Sequence, residues 1–283
     1  MTHKITTGPI GVFDSGYGGL TILRSLRKRL PQYDFLYLGD NARAPYGTRS
    51  FDIVYRFTLQ AVEYLFSRGC PLVILACNTA SAKALRSIQQ NDLPNIDASR
   101  RVLGVIRPTV EALPPLSRTG HVGVLGTPGT VASHSYRLEL QKSAPQLTVT
   151  ELGCPMWVPL VENREAENPG ADYFVEKYCS QLMQTDPQID TVVLACTHYP
   201  ILLPKIRKYL PERVTVIPQG DIVADSLADY LLRHPEMECR LKSSIKSTQQ
   251  ATTEYLTTEN SDKFSHLASI FMGEDIDARQ IDL

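Results

Sequence analysis

The sequence of 283 residues has no excess of charge of either sign. It contains 29 lysine and arginine residues and 30 aspartate and glutamate residues, which gives a formal net charge of −1 at pH 7. Blocks of basic residues are typical of proteins that bind nucleic acids or acidic membrane surfaces, and no such block stands out here. The composition therefore predicts neither a nucleic-acid partner nor a membrane partner.

Long apolar runs are also missing. No stretch approaches the ~18 consecutive apolar residues that a membrane-spanning helix needs. The amino-terminal stretch MTHKITTGPIGVFDSG contains no apolar segment of the kind that signal peptides carry. We therefore expect a protein of the cytoplasm.

Cysteine is infrequent, and its spacing argues against the common metal and redox motifs. The six cysteines are Cys70, Cys77, Cys154, Cys179, Cys196 and Cys239. None of them forms a Cys-x-x-Cys pair, so we expect neither a structural zinc site nor a redox dithiol. Reduced thiols are the ordinary state of cysteine in a cytoplasm.

The chain does contain a repeated phrase. Residues 74–80 read ILACNTA and residues 193–199 read VLACTHY, while IGVFDSGYGG resembles VGVLGTPGTV. Asp14 and Cys77 are 63 residues apart, and Gly126 and Cys196 are 70 residues apart. We infer a duplication, in which each copy offers one loop after its first strand and one loop that carries a cysteine.

Short apolar runs alternate with amphipathic stretches along the chain, and this alternation predicts βαβ units. The predicted fold is α/β, with two pseudosymmetric α/β/α domains, mainly parallel sheets and an active site in the interdomain cleft. The first domain comprises residues 1–101 and 216–283, and the second comprises residues 102–215. Near the end, residues 251–259 resemble an edge strand or hairpin arm, residues 261–272 a helix, and residues 242–250 a polar linker.

The four repeated loops all follow predicted strands. Ligands of open α/β sheets bind beyond the carboxyl ends of the strands, so two such domains facing one another would enclose a cleft with a cysteine on each wall. Two sulfurs placed in this way could remove a proton from one face of a carbon and return one on the other face. Such a two-base inversion needs one thiolate and one thiol at any moment.

Each of these two cysteines has neighbours that could support a thiolate. Cys77 lies where a helix should start, and backbone N–H groups at a helix N-terminus can lower the pKa of a thiol. Cys196 is followed by Thr197 and His198, and an imidazole can take a thiol proton. A cysteine at the end of an apolar run is more often a buried spacer, and we keep that interpretation for the other four. His198 alone would be interpreted as a structural histidine.

The glycine-rich loop DSGYGGL is ambiguous by itself. It is not a Walker A loop, and Thr21 stands where a dinucleotide fingerprint needs its third glycine, although Asp40 could mimic the ribose-binding acid. Asp14 would repel phosphates. We expect Ser15 and backbone N–H groups to hold a carboxylate, with Asp14 accepting an amine or orienting a proton. A plain β-to-α turn fits the glycines equally well.

A set of phrases in the chain resembles the glutamate racemases of bacteria. These phrases are GVFDSGYGGLTIL, LGDNARAPYGTRS, ACNTASA, GVLGTPGTVAS, CPMWVPLVE and ACTHYP. They occur in the family's order and cover nearly the whole chain up to about Gln219, whereas the tail GEDIDARQIDL is less diagnostic. The chain departs from the family at Tyr17, where valine is usual, and at Asn41, where serine or threonine is frequent.

The resemblance implies interconversion of L- and D-glutamate without pyridoxal phosphate, metal or other cofactor, which supplies D-glutamate for peptidoglycan. It implies that Cys77 acts on the α-proton of D-glutamate and Cys196 on that of L-glutamate. Asp14 would assist the first thiol, and His198 and Glu162 the second. The implied substrate contacts are Asp14, Ser15, Tyr46, Gly47, Asn78, Thr79, Thr197 and His198. The resemblance also implies a homodimer.

Two alternatives remain open from the sequence. An aspartate racemase or another two-cysteine amino-acid isomerase would carry the same motifs, because they do not reveal the length of the pocket. A nucleotide-binding dehydrogenase is a more distant alternative, and the missing third glycine argues against it.

Overall fold

The structure is a computed structural model that describes residues 7–243 and 251–283. The predicted linker at residues 242–250 therefore lies outside the described residues, apart from its first two positions. Within the described ranges, ten named strands form two sheets, and every strand pairing is parallel.

The elements of the first half supply four strands. They are β1 (Ile10–Asp14), α1 (Leu20–Arg29), β2 (Phe35–Gly39), α2 (Phe51–Ser67), β3 (Leu72–Leu75), α3 (Asn78–Lys83), α4 (Leu85–Ser87), α5 (Leu93–Asp97) and β4 (Arg101–Gly104). A 3₁₀ turn at Asn41–Arg43 follows β2, and a π-helical turn at Ile88–Asp92 precedes α5.

The second half repeats this plan before the chain returns to the first sheet. Its elements are α6 (Ile106–Ala112), β5 (His121–Gly126), α7 (Pro128–Ala132), α8 (Ser135–Ser143), β6 (Thr148–Gly153), α9 (Trp157–Glu162), α10 (Pro169–Thr185), β7 (Thr191–Ala195), a 3₁₀ turn at Tyr199–Leu202, α11 (Leu203–Tyr209) and β8 (Thr215–Ile217). The returning segment comprises α12 (Gly220–Arg233), α13 (Pro235–Glu238), β9 (Thr253–Thr257), α14 (Ser261–Met272) and β10 (Ala278–Gln280).

The two sheets share one strand order, as the inferred duplication requires. The first sheet runs β10-β9-β2-β1-β3-β4 and the second runs β6-β5-β7-β8. In both, the first strand of the repeat lies between the second and the third, and the fourth follows the third. The α/β prediction with mainly parallel sheets is confirmed.

Helices cover both faces of each sheet, which explains why the strands are continuously apolar. Alternate residues of a strand point to opposite faces. Accordingly Ile10 and Val12 pack into a core with helices α1, α12 and α14, while Phe13 packs into a second core with α2. Burying a side chain of this size contributes about 1.5–3 kcal/mol, so both layers stabilise the sheet.

Both predicted domain boundaries fall at the first residue of a strand. Residue 101 begins β4, which pairs with β3, and residue 215 begins β8, which pairs with β7. We propose that the first unit extends through β4 and resumes at α12, which packs against α1. The second unit then runs from α6 through β8.

The prediction of an edge strand or hairpin arm at residues 251–259 is wrong. β9 lies between β2 and β10 and runs parallel to both. Its central residues are buried on both faces, because Tyr255 packs against the α1–α14 side and Leu256 against the α2 side. The polar alternation that suggested an edge comes from its partly exposed first residues, where Glu254 pairs with Arg68.

The predicted last helix is confirmed as α14. Its N-cap is Asn260, whose side chain accepts a hydrogen bond from the Lys263 N–H at 2.9 Å. It ends at Gly273, which has a φ of 72° in the left-handed region that glycine adopts without strain.

Candidate active site

The cleft between the carboxyl ends of the two sheets contains the residues that the repeated phrases singled out. Asp14 is the last residue of β1, Cys77 follows β3 by two residues, and Cys196 immediately follows β7. The residues that line the cavity between them include Ser15, Tyr46, Gly47, Thr48, Cys77, Asn78, Thr79, Thr127, Cys154, Glu162, Cys196, Thr197 and His198. The cavity therefore has one cysteine from each sheet on its walls.

Cys77 is the N-cap residue of α3. Its Sγ accepts a hydrogen bond from the Ala80 N–H at 3.4 Å and lies 3.2 Å from the Ser15 hydroxyl oxygen. Burial, reinforced by the nearby Asp14 carboxylate, raises the pKa of this thiol to about 12. The helix start was predicted correctly, but burial outweighs the lowering of the pKa that the helix N-terminus favours. Cys77 is therefore held as a thiol.

The Cys196 sulfur is next to the His198 imidazole, which in turn contacts the Glu162 carboxylate. Nδ1 of His198 lies 3.8 Å from the sulfur, and Nε2 lies 3.1 Å from Oε1 of Glu162, the last residue of α9. Burial lowers the pKa of His198, but its hydrogen bonds with Cys196 and Glu162 outweigh this effect and raise the pKa to about 10. The imidazole is therefore placed to exchange a proton with the sulfur, and Glu162 holds its other ring nitrogen.

Asp14 lies between the two sides of the cleft. One of its carboxylate oxygens accepts the Gly16 N–H at 3.0 Å, and the other accepts the Thr197 hydroxyl at 3.3 Å. Complete burial raises the pKa of Asp14, and the positive charge of His198 opposes that rise. Asp14 therefore lies close enough to the Cys77 sulfur and to the His198 imidazole to interact electrostatically with both.

The glycine-rich loop packs directly against the Cys196 side. A Cβ atom on Gly18 would lie 2.3 Å from the Thr197 hydroxyl oxygen and 2.5 Å from Nδ1 of His198. Such distances are shorter than any van der Waals contact, so the position requires glycine. The glycines thus serve close approach between the two halves, which distinguishes this loop from a plain β-to-α turn.

All of the predicted substrate contacts except Asp14 line the cavity, but two of them have their polar side chains engaged elsewhere. The Tyr46 hydroxyl donates to the buried Asp40 carboxylate. The Asn78 side chain bonds to Tyr136 and to Gln219. The polar side-chain groups of these two residues are therefore already paired with buried partners.

Sequence reasoning missed Thr127 as a cavity residue. The Thr79 and Thr127 hydroxyl oxygens are 2.9 Å apart. The Thr130 hydroxyl oxygen lies 3.3 Å from that of Thr79 and 3.1 Å from that of Thr127. This cluster of three hydroxyls joins α3 to α7. The repeat contained the signal, because VGVLGT places Thr127 where IGVFDS places Ser15. Hydroxyls and the N-terminus of α3 together suit a carboxylate.

Residues 7–243 and 251–283 contain no cluster of three or more histidine, cysteine, aspartate or glutamate residues that could hold a metal ion. Within the same ranges, no helix is long and apolar enough to cross a bilayer.

Comparison with known proteins gives one consistent family. The model of the Asp/Glu/hydantoin racemase family matches residues 20–227. A glutamate racemase from a Ruegeria species is 40% identical over 277 residues, which cover 94% of this chain and 97% of the relative. These matches extend across both halves of the repeat.

Solved structures agree with the sequence matches. A glutamate racemase isoform from Bacillus anthracis has a TM-score of 0.87 at 34% identity and covers 99% of both chains. The Francisella tularensis glutamate racemase, solved with D-glutamate, has a TM-score of 0.84 at 30% identity and covers 97% of both chains. An aspartate racemase from Picrophilus torridus, at 17% identity and a TM-score of 0.52, covers 79% of this chain and 94% of that one and shares the fold.

Proposed function

Because the chain belongs to the Asp/Glu/hydantoin racemase family, we propose that it interconverts L-glutamate and D-glutamate by proton transfer at two cysteines. The observation that carries the proposal is the placement of Cys77 and Cys196, each supplied by a different sheet, in the lining of one cavity. Relatives named as glutamate racemases support glutamate as the substrate, since they match almost the full chain.

The proposed reaction from the L-enantiomer begins at Cys196. Its thiolate removes the α-proton, and the electron pair left on the α-carbon is delocalised into the carboxylate. The Cys77 thiol then donates its proton to the opposite face, which gives D-glutamate and leaves Cys77 as a thiolate. The reverse reaction begins with the Cys77 thiolate. In each direction one sulfur gains a proton and the other loses one, so no further proton donor or acceptor is needed.

The surroundings of the two sulfurs fit these roles. The imidazolium of His198, held by Glu162, stabilises the Cys196 thiolate before the L-enantiomer reacts. The high pKa of Cys77 keeps a proton ready for donation. Asp14, which raises that pKa, favours the protonated sulfur, and this is the form from which Cys77 donates its proton when the reaction runs from the L- to the D-form.

The polar groups around the sulfurs would hold an amino acid. We assign the α-carboxylate to the N-terminus of α3 with the Thr79 and Thr127 hydroxyls, and the ammonium group to Asp14 and Thr197. Ser15 and the backbone at Tyr46 and Gly47 would contact the remaining polar atoms. The proposal extends to a cytoplasmic homodimer that supplies D-glutamate for peptidoglycan, as the family implies.

Aspartate is the second candidate substrate, because a related fold carries an aspartate racemase. The deciding experiment presents purified protein with both enantiomers of glutamate and of aspartate in D₂O. Optical rotation and loss of the α-proton NMR signal are followed. We expect kcat/KM for glutamate to exceed that for aspartate at least tenfold, or ~1.4 kcal/mol in the transition state. Equal rates would indicate a racemase for both amino acids, and no change with either would contradict the proposal.

A further inference from the structure

A closed ring of three buried side chains lies directly behind the Cys77 side of the cleft. Asn78 donates from Nδ2 to Oε1 of Gln219 at 2.6 Å, and Gln219 donates from Nε2 to the Tyr136 hydroxyl at 2.8 Å. The Tyr136 hydroxyl in turn donates to Oδ1 of Asn78 at 2.7 Å. Each member is therefore both a donor and an acceptor, and none is more than 2% exposed.

The three residues of the ring are far apart in the sequence and belong to different parts of the fold. Asn78 begins α3 in the first unit, and Tyr136 lies on α8 in the second. Gln219 lies in the segment that returns to the first sheet. Its second amide hydrogen is directed to the Thr109 hydroxyl, at 2.7 Å, on the helix that follows the outgoing crossover. Gln219 thus connects Asn78 of the first unit to Tyr136 and Thr109 of the second unit.

Asn78 is adjacent to Cys77, so its position sets the position of that sulfur. Its amide orientation is fixed through Gln219, whose Nε2 also faces the Val105 carbonyl oxygen at 3.5 Å, an acceptor beside which Oε1 could not replace it. Oε1 of Gln219 is therefore directed to Asn78, which must meet it with Nδ2. A buried, fully satisfied network of this kind is rigid, and breaking one member leaves the others without partners. The ring therefore fixes α3, and with it Cys77, relative to the second unit that carries Cys196.

We propose that Gln219 and Tyr136 are positioning residues that set the spacing between the two sulfurs through Asn78. The inference rests on the proposed two-base reaction, in which the substrate must meet Cys77 on one face and Cys196 on the other. Displacement of a reacting group by about 1 Å can reduce a rate by about 10²-fold. Loosening the Cys77 side should therefore harm steps that use Cys77 and spare a step that uses Cys196 alone.

A glutamate analogue with chloride on the carbon next to the α-carbon separates these steps. Removal of its α-proton expels chloride and forms an enamine, which hydrolyses to ammonia and a keto acid, so one base suffices. Its L-enantiomer is processed through Cys196 and its D-enantiomer through Cys77. Both eliminations can be measured on the same preparation as glutamate racemisation.

The test uses Gln219→Met and Tyr136→Phe, which retain most of the side-chain volume. In each variant we expect racemisation and D-analogue elimination to fall by about 10- to 100-fold, while L-analogue elimination stays within about twofold of wild type. The double variant should lose no more than the worse single variant, because the ring is already open. Thr58→Val and Tyr55→Phe, which remove hydroxyls in α2 away from the cleft, serve as matched controls.

The outcomes separate the inference from the proposed function. A wild-type protein that racemises glutamate, with variants that lose all three activities in parallel, overturns the positioning role and leaves the racemase intact. Variants that retain full racemisation also overturn it. A wild-type protein that does not racemise glutamate overturns the proposed function and this inference with it. Circular dichroism melting curves identify a variant that fails to fold, in which case the other single variant decides.

Discussion

The hydroxyl of Thr197 donates a hydrogen bond to the carboxylate of Asp14 across the cleft, at 3.3 Å and over a separation of 183 residues. Asp14 is the last residue of the central strand β1, and Thr197 follows the central strand β7 by two residues. The contact therefore links the two halves of the repeat at the place where the two sulfurs face the cavity. It also places Asp14 close enough to affect the chemistry of both sides.

Replacing either sulfur should abolish racemisation but leave one half-reaction. Serine is a far weaker base than a thiolate, so Cys77→Ser and Cys196→Ser should each racemise glutamate at least about 10²-fold more slowly. Cys77→Ser should still eliminate chloride from the L-analogue, and Cys196→Ser from the D-analogue. Steady-state assays give four elimination rates. A variant that eliminates chloride only from the other enantiomer would show that the two cysteines act on the opposite faces from those proposed. A variant that racemises glutamate at nearly the wild-type rate would show that the replaced cysteine has only a packing role.

Removing the Asp14 charge should make Cys77 more acidic. Burial is the largest cause of its raised pKa, and the Asp14 charge adds to it. In Asp14→Asn, alkylation of Cys77 by iodoacetamide should therefore begin at lower pH than in wild type, while racemisation falls. Mass spectrometry of the Cys77 peptide across a pH series measures this shift. Asp190→Asn, which removes a buried carboxylate away from the cleft, is the control. If the alkylation of Cys77 shifts to lower pH by the same amount in this variant, the Asp14 charge is not the cause.

Gly18→Ala should disrupt the Cys196 side of the cleft. Its Cβ would overlap the Thr197 hydroxyl and the His198 ring, so these side chains must move. We expect a loss of about 10²-fold in kcat/KM and a destabilisation of about 1–3 kcal/mol by overpacking. Activity assays and urea unfolding measure the two effects. Gly170→Ala is the matched control, since its Cβ would meet no atom within 4 Å. An active Gly18→Ala variant would show that the contact is dispensable.

His198 should stabilise the fold in a pH-dependent way. Its pKa is about 10 in the folded protein and about 6.5 when unfolded. The protonated form therefore favours folding, and this contribution is complete below about pH 6.5 and is lost as the pH rises through about 10. The difference in unfolding free energy between wild type and His198→Asn should shrink over that window. His266→Asn, at an exposed position, is the control, and a difference that does not vary with pH would contradict the prediction.

Racemisation should persist after dialysis against a chelator. The proposed mechanism assigns proton removal and return to two thiols and substrate binding to hydroxyls, backbone N–H groups and Asp14. We expect unchanged kcat in metal-free buffer, with elemental analysis as the check on metal content. Loss of activity that an added divalent metal restores would contradict the mechanism.

The sequence was most informative where the chemistry is local or repeated. Apolar runs located the strands β1, β3 and β7, and the duplicated phrases located Cys77 and Cys196 at the ends of β3 and β7. The pKa of Cys77 was not predictable, because it depends on how completely the folded cleft excludes water. The position of β9 was missed since its polar first residues conceal a strand that is covered on both faces.

Long-range polar networks were outside the reach of sequence patterns. The resemblance to glutamate racemases implies Asn78 as a substrate contact, and the structure shows its side chain engaged by Tyr136 and Gln219, 58 and 141 residues away. Nothing in the local sequence of Gln219 marks it as more than a loop residue. Thr127, by contrast, could have been found by aligning the two copies of the repeat.

Under the proposed reaction, the unliganded protein has two forms that differ in which of the two sulfurs, Cys77 or Cys196, carries the proton. Under the proposed reaction, each turnover from L- to D-glutamate starts with the charge on Cys196 and ends with it on Cys77. Burial and the Asp14 carboxylate disfavour charge on Cys77, whereas the Cys196 sulfur lies 3.8 Å from Nδ1 of His198. Product release is therefore followed by a proton relocation before the next L-enantiomer can react. If the proposed reaction is correct, the protonation state of the free protein depends on which enantiomer it last released.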